Sequence, residues 1–268
     1  MPPASRIPIV LSISGHDPGG GAGVQADIEA IAANGCHACS VITCLTEQDT
    51  CDVRILLPQP PTQVLSQARV LLADSPVSAI KIGLLGEAGI AHSLADLLDQ
   101  HPEIPAVLDP VLASGTGTSL ARQELVQTIR EQLLPRTALV TPNSLEARSL
   151  THGDGPLDSC AANLLELGCG AVLITGTHEP GPQVANRLYR RNTPPHESLW
   201  PRLPGSYHGS GCTLASAITA RLALGEDLVT ATTKAQEYTW RTLARGLRTG
   251  RCQAIPDRLF ALNRGERP

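Results

Sequence analysis

Short apolar runs alternate along this chain with longer segments whose apolar positions recur at helical spacing. The first run, 7–13, closes on Ser14-Gly15, as a buried strand entering a turn does. Residues 15–23 hold five glycines in nine positions, a loop whose backbone has to pass close to something. A helix is predicted over 24–33, stopped by Asn34-Gly35. The alternation continues through strand 38–45, a proline cluster over 58–61, helix 62–73, strand 77–82, helix 88–99 and strand 106–108. A flexible loop at 114–118, helix 120–133, strand 138–140, helix 157–167 and strand 171–174 follow. Segments 183–189 and 197–200 read as an antiparallel pair around Arg191-Asn192. The run after residue 213 and the stretch 227–245 read as helices, and 265–268 as a frayed tail. Strands alternating with helices predict an α/β fold: a three-layer α/β/α sandwich with a mainly parallel central sheet, in one domain over 1–268.

Composition sharpens that picture. With 42% hydrophobic and only 2% aromatic residues, the core has to be built from Leu, Val, Ile and Ala, which suits buried parallel strands. A net charge of −4 argues against nucleic acid as a partner, and no apolar run approaches membrane-spanning length. Residues 1–6 lead straight into the first strand without a signal-peptide pattern, so a cytoplasmic protein is expected. The eight cysteines do not read as a disulfide framework in a chain this long, and Cys36-His37-Ala38-Cys39 lacks a second pair to complete a metal site. Reduced thiols are expected.

Candidate chemistry concentrates at the loops. His208-Gly209-Ser210-Gly211-Cys212-Thr213 opens an apolar helical run. A helix N-terminus with glycines beside it offers bare N–H groups and a positive dipole end to an anion. Cys212 in that field is a candidate nucleophile or base with a lowered pKa; the plainer alternative is a small buried hydrophobe behind a Gly-rich turn. Strand, glycine loop and helix at the start resemble a nucleotide-binding βα unit, but Gly-Lys-Ser/Thr is absent and Gly21–Ala26 matches a dinucleotide fingerprint only weakly. Asp27 either points back toward the loop or complements the helix dipole. The polar cluster 46–50, which includes Gln48, sits past a strand end, where α/β sheets bind ligands. Asn143 and Glu146, one helical turn apart, suit magnesium or its waters, or else form a helix cap with a solvated glutamate.

Taken in order, Ser14–Pro18 through Gly23, Gln25-Ala26-Asp27, Val41–Thr43 with Gln48 and Thr50, Lys81-Ile82-Gly83, Leu108–Val111, Thr141–Asn143 with Glu146, and His208–Leu214 resemble the ribokinase-like superfamily. Within it they look most like the hydroxymethylpyrimidine/phosphomethylpyrimidine kinases of thiamine biosynthesis. The resemblance implies phosphoryl transfer from ATP with Mg2+ to a hydroxymethylpyrimidine and then to its monophosphate, in a homodimer. It implies Gly15, Ala22, Asp27, Gln48, Leu84 and Val111 around the pyrimidine. Gly209, Ser210, Gly211 and Cys212 would act at the phosphoryl group. Asn143, Thr175, Gly176, Gly209 and Gly211 would hold the nucleotide, and Asp109, Asn143 and Glu146 the metal. The chain departs from the family in having Thr175 and residues 113–117 where lysines are usual. Arg187 and Arg190 are the substitute cations the sequence suggests. A pyridoxine-type kinase, a non-catalytic pyrimidine binder and, more remotely, a dehydrogenase are the competing readings.

Overall fold

The computed structural model describes residues 7–113, 117, 120–153 and 155–262; most of the 114–118 loop and the 265–268 tail lie outside them. In chain order the elements are β1 (Ile9–His16), α1 (Gly23–Ala33), β2 (His37–Gln48), β3 (Val53–Pro58), α2 (Pro61–Asp74), β4 (Val77–Ile82) and α3 (Ala88–Gln100). Then come β5 (Ala106–Leu108), α4 (Gln123–Thr128), β6 (Leu139–Val140), α5 (Ser144–Thr151), α6 (Leu157–Glu166) and β7 (Ala171–Thr175). β8 (Gln183–Arg190), β9 (Thr193–Pro201), α7 (Ser210–Ala223) and α8 (Leu228–Ala244) complete the described chain. The strands form one sheet in the order β3-β2-β1-β4-β5-β6-β7-β8-β9. β2, β1, β4, β5, β6 and β7 pair in parallel, while at the edges β3 pairs antiparallel with β2, β8 with β7 and β9 with β8.

The central strands are apolar on both faces because helices cover both. Val10, Leu11 and Ile13 of β1 and Ile80 and Ile82 of β4 have no exposed surface. One face packs on α2, α3, α4 and α6, where α3 turns Ile90, Leu94, Leu97 and Leu98 inward at helical spacing. The other packs on α7 and α8 through Leu173, Leu188, Leu214, Ala217 and Ile218. α7 is buried continuously from Cys212 to Ala220. Its alanines, serine and threonines let it lie close between α1, α8 and the sheet, and so carry its first turn to the carboxyl edge of the strands. The predicted three-layer α/β architecture stands.

Three local expectations are corrected. β3, just ahead of the proline break at 58–61, is not anticipated by the sequence pattern; as an edge strand with Ile55 and Leu57 exposed it shows no core-facing alternation. The helix expected over 120–133 ends as α4 at Thr128 and continues as a π turn, Ile129–Leu133, and a 3-10 turn, Leu134–Arg136. Pro135 has no N–H to extend the ladder there. Not every cysteine is reduced: Cys51, in the β2–β3 turn, is joined to Cys252, while Cys36, Cys39, Cys44, Cys160, Cys169 and Cys212 are free.

Candidate active site

A cleft of about 450 Å³ runs along the carboxyl edge of the parallel strands, where α/β sheets bind their ligands. Followed in sheet order, it is lined by Gln48 at the end of β2, Gly15 near the end of β1 with Ala22 after it, Leu84 after β4, and Asp109 and Val111 after β5. Asn143 follows β6 and Thr175 ends β7. Gly209, Ser210, Gly211 and Cys212 open onto it from α7. The structure thus gathers all but two of the residues that the resemblance assigns to the pyrimidine, the phosphoryl group, the nucleotide and the metal. The exceptions are Asp27 and Gly176.

Gly209 is the N-cap of α7, with φ +81 and no side-chain cap. The first bond within the helix is Thr213 N–H to Gly209 O at 3.0 Å, so the N–H groups of Ser210, Gly211 and Cys212 have no partner inside it. They and the dipole form an anion site with glycine backbone close by. A Cβ on Gly209 would collide with the Gly21 carbonyl, so only glycine lets the N-terminal loop press against this turn. That loop is clamped by Asp17, whose carboxylate accepts from Gly19 and Ala22 N–H at 2.8 Å each and bonds His208 Nε2 at 3.0 Å. Burial alone would raise the Asp17 carboxyl, but these bonds hold it below the usual range.

Cys212 does not have the lowered pKa expected from its place in the helix. Burial pushes its thiol up to about 12, with Asp109 and Asp27 adding to the rise against Lys81 and the Gly23 N–H. The helix field is real, but the site is dry and negatively charged, and desolvation wins.

Asp27 lies beneath the cleft rather than in it. Fully buried, it takes Lys81 Nζ at 2.9 Å, Ser12 Oγ at 2.6 Å and Ser216 Oγ at 2.7 Å. With no exposed surface and no place in the cleft lining, it is out of reach of a ring. Burial works against the charge on Lys81, and Asp27 more than offsets it, holding the ammonium above its ordinary pKa. Gly176 turns away as well: its N–H donates to Asn186 Oδ1 at 3.1 Å, and the Ala185 carbonyl fills the place of a Cβ. Arg187 pairs with Glu197 at 2.6 Å on the β8–β9 ribbon, and neither it nor Arg190 lines the cleft, so they do not replace the absent lysines.

The acidic end of the cleft fits a cation through two carboxylates. Asp109 Oδ2 is buried without a hydrogen-bond partner, and burial raises this carboxyl. Burial and then the Asp109 charge push Glu146 up to about 8, against bonds from the Asn143 and Leu112 N–H groups. A divalent ion would relieve both. Asn143 is less suited, because its Oδ1 accepts the N–H groups of Leu145 and Glu146 at 2.9 Å in a capping box. The cap read as the plainer alternative is present, although its glutamate is largely withdrawn from water. Among the described residues no three His, Cys, Asp or Glu side chains are grouped to cage a metal. An ion held by one or two carboxylates, waters and ligand phosphates is the magnesium pattern.

Glu146 also predicts a pH dependence. The native state holds its proton up to about 8, whereas the unfolded chain releases it near 4.5. Between these values the native state binds more protons, so this contribution to stability is full below 4.5 and is lost as pH rises through about 8. Melting curves across that window should show the decline in wild type without divalent ions and a flatter profile in Glu146→Gln. Added Mg2+ should raise the wild-type melting temperature most at the alkaline end. Identical profiles for the two proteins would exclude Glu146 as the group.

Sequence reasoning missed two parts of this region. Trp200 and Trp240, the chain's only tryptophans, line the far end of the cleft with ring centroids 6.4 Å apart. Their rarity in a chain with 2% aromatics was the available signal. Arg258 is buried behind the glycine loop, and nothing in its local sequence marks it.

The phosphomethylpyrimidine kinase family model matches residues 17–256. The chain belongs to the phosphomethylpyrimidine kinase family. It is 36% identical to the hydroxymethylpyrimidine/phosphomethylpyrimidine kinase of Synechococcus elongatus over 92% of this chain and 95% of that one. It is 35% identical to a chloroplastic thiamine biosynthetic bifunctional enzyme of Arabidopsis thaliana, over 87% of this chain but only 46% of that longer protein. Among solved structures, the phosphomethylpyrimidine kinase of Clostridium difficile superimposes with a TM-score of 0.75 at 30% identity, covering 87% of this chain and 98% of that one. A Bacillus subtilis pyridoxal kinase, solved as an ADP complex, superimposes with a TM-score of 0.88 at 25% identity, covering 97% and 100%. These likenesses share the ribokinase-like α/β fold expected from the motifs. Among the described residues no helix is long and apolar enough to cross a membrane.

Proposed function

We propose that this member of the family transfers the γ-phosphoryl group of ATP to the hydroxymethyl oxygen of a 4-amino-2-methylpyrimidine, and then phosphorylates the monophosphate. The observation that carries the reading is one cleft lined together by Gln48, Leu84 and Val111, by the first α7 residues, whose amides have no partner within the helix, and by Asp109 and Glu146. Gln48 offers an amide donor and acceptor to the aminopyrimidine edge, with Gly15, Ala22, Leu84 and Val111 forming close backbone and apolar walls. The amides of Ser210, Gly211 and Cys212 stabilise charge on the equatorial oxygens, which is most of what phosphoryl transfer asks of a protein. Asp109 and Glu146 would hold Mg2+, whose chemistry here is charge neutralisation on the phosphates. Thr175 and the Trp200–Trp240 wall face the nucleotide end. The protein is read as a cytoplasmic homodimer; six of its eight cysteines are free, against one Cys51–Cys252 bridge, and the dimer follows from the resemblance.

A thiol pushed to about 12 is protonated at neutral pH, so Cys212 orients the acceptor hydroxyl instead of deprotonating it. Phosphoryl transfer with a loose transition state needs little help from a base. Cys212→Ala is therefore expected to cost less than the roughly 10²-fold that loss of a general base brings. Cys212→Ser should retain more activity than the alanine variant. A kcat that climbs with thiolate formation in wild type alone would restore the base assignment.

Paired assays of the pyrimidine alcohol and of pyridoxal, each with ATP and Mg2+, test the substrate. Higher kcat/KM on the pyrimidine is expected. Preference for pyridoxal would move the protein to the neighbouring activity, and tight pyrimidine binding without ADP release would make it a binding protein.

A further inference from the structure

Arg258 is 2% exposed, the largest of the fully sealed side chains, and lies in neither a helix nor a strand. Burying a guanidinium is costly unless its donors find partners, and these donors reach three parts of the chain. Nε donates to Thr213 Oγ1 at 2.9 Å, in the first turn of α7. Nη1 donates to the Gly20 carbonyl at 3.2 Å and to Glu29 on α1 at 3.0 Å. Nη2 donates to the Gly21 carbonyl, beside the spot where a Gly209 Cβ would fall. The arginine is itself held in place. Tyr238 of α8 donates to its carbonyl at 2.9 Å, Asp257 N–H bonds the Thr242 carbonyl at 3.1 Å, and Arg241 and Arg245 lie 4.9 and 4.8 Å from the centre of the Phe260 ring.

We propose that Arg258 is a positioning residue for phosphoryl transfer. From the C-terminal segment it fixes the spacing between the glycine loop and the first turn of α7, and hence the aim of the Ser210–Cys212 amides. It touches no reacting group, and the inference rests on the function proposed above. A planar fork reaches adjacent carbonyls and a helix hydroxyl together, which a lysine ammonium does not. Misaligned donors cost turnover more than binding, because they act where charge develops.

The test combines kinetics with amide hydrogen exchange in Arg258→Ala, Arg258→Lys and Thr213→Val. In Arg258→Ala, kcat should fall at least about tenfold, with the pyrimidine KM changed by less than about threefold. Added guanidinium should recover part of kcat in that variant, and Arg258→Lys should not. Exchange should quicken at residues 20–23 and 210–213 in every variant while β4 and β5 keep their protection. A wild-type kcat in Arg258→Ala, or exchange that quickens evenly over the whole chain, would overturn the proposal. If Arg258→Ala does not fold, Thr213→Val, which removes the hydroxyl that accepts from Arg258 and donates to the Gly209 carbonyl at 2.7 Å, decides by the same two readouts, with Thr213→Ser, which keeps both bonds, expected to behave as wild type. A wild-type protein with no turnover on the pyrimidine alcohol counts against the proposed function, and the exchange pattern still decides on Arg258.

Discussion

Gly209→Ala is expected to lower kcat by about 10²-fold or more, the scale for loss of a preorganised anion donor. Two effects coincide at this residue. Its φ of +81 lies in the left-handed region, which costs an L-residue about 1–2 kcal/mol. In addition, a Cβ there collides with the Gly21 carbonyl, so either the glycine loop or the first turn of α7 has to shift. A displacement of about 1 Å is enough to cost two orders of magnitude in a positioned reaction. Gly225 separates the two effects: its φ is +82, and a Cβ there meets nothing within 4 Å. Gly225→Ala should therefore lose comparable stability and keep its kcat. Should Gly209→Ala turn over within a few-fold of wild type, the α7 amides are not the principal device.

Asp27→Ala should destabilise the fold by about 3–5 kcal/mol, the usual cost of leaving one partner of a buried pair uncompensated. Lys81 would stay fully buried with its charge, and Ser12 and Ser216 would lose their acceptor. Against a typical domain stability of about 5–15 kcal/mol this is a large share. Chemical denaturation should show a lower midpoint, and the double variant Asp27→Ala with Lys81→Met should recover much of it, because no lone charge remains. The opposite pattern, a wild-type midpoint with weakened pyrimidine binding, would return Asp27 to the ring pocket.

Asp27 also shows how far the sequence was legible. It shares a stripe with Val24, Ala30 and Ile31, all buried, so helical spacing already placed it toward the sheet; reading it as a ring contact followed the motif over the periodicity. Lys81 inside a mostly apolar strand was the matching signal for a partner. The alternation of strands and helices gave the architecture, and polar residues just past strand ends gave the cleft, since both follow from local pattern. Cys212 was misjudged because burial cannot be read from a helix start, and desolvation outweighed the dipole. The Cys51–Cys252 bridge and the Arg258 contacts are invisible locally, joining positions 201 residues apart in the first case and up to 238 in the second. β3 escaped because an edge strand carries no core face to pattern.

Turnover of purified protein with the pyrimidine alcohol, ATP and saturating Mg2+, followed with monophosphate and diphosphate resolved over time, tests the central claim most directly. Thr175 stands where the resemblance implies a lysine, neither Arg187 nor Arg190 lines the cleft, and Arg202, which does, is engaged by the Thr177, Glu179 and Gly181 carbonyls, so the second step, on an acceptor already charged, is expected to be the slower. ADP should be released in step with phosphorylated pyrimidine, with monophosphate accumulating first and diphosphate following more slowly. ATP consumed without phosphorylated pyrimidine, or no phosphate transferred at all, would contradict it.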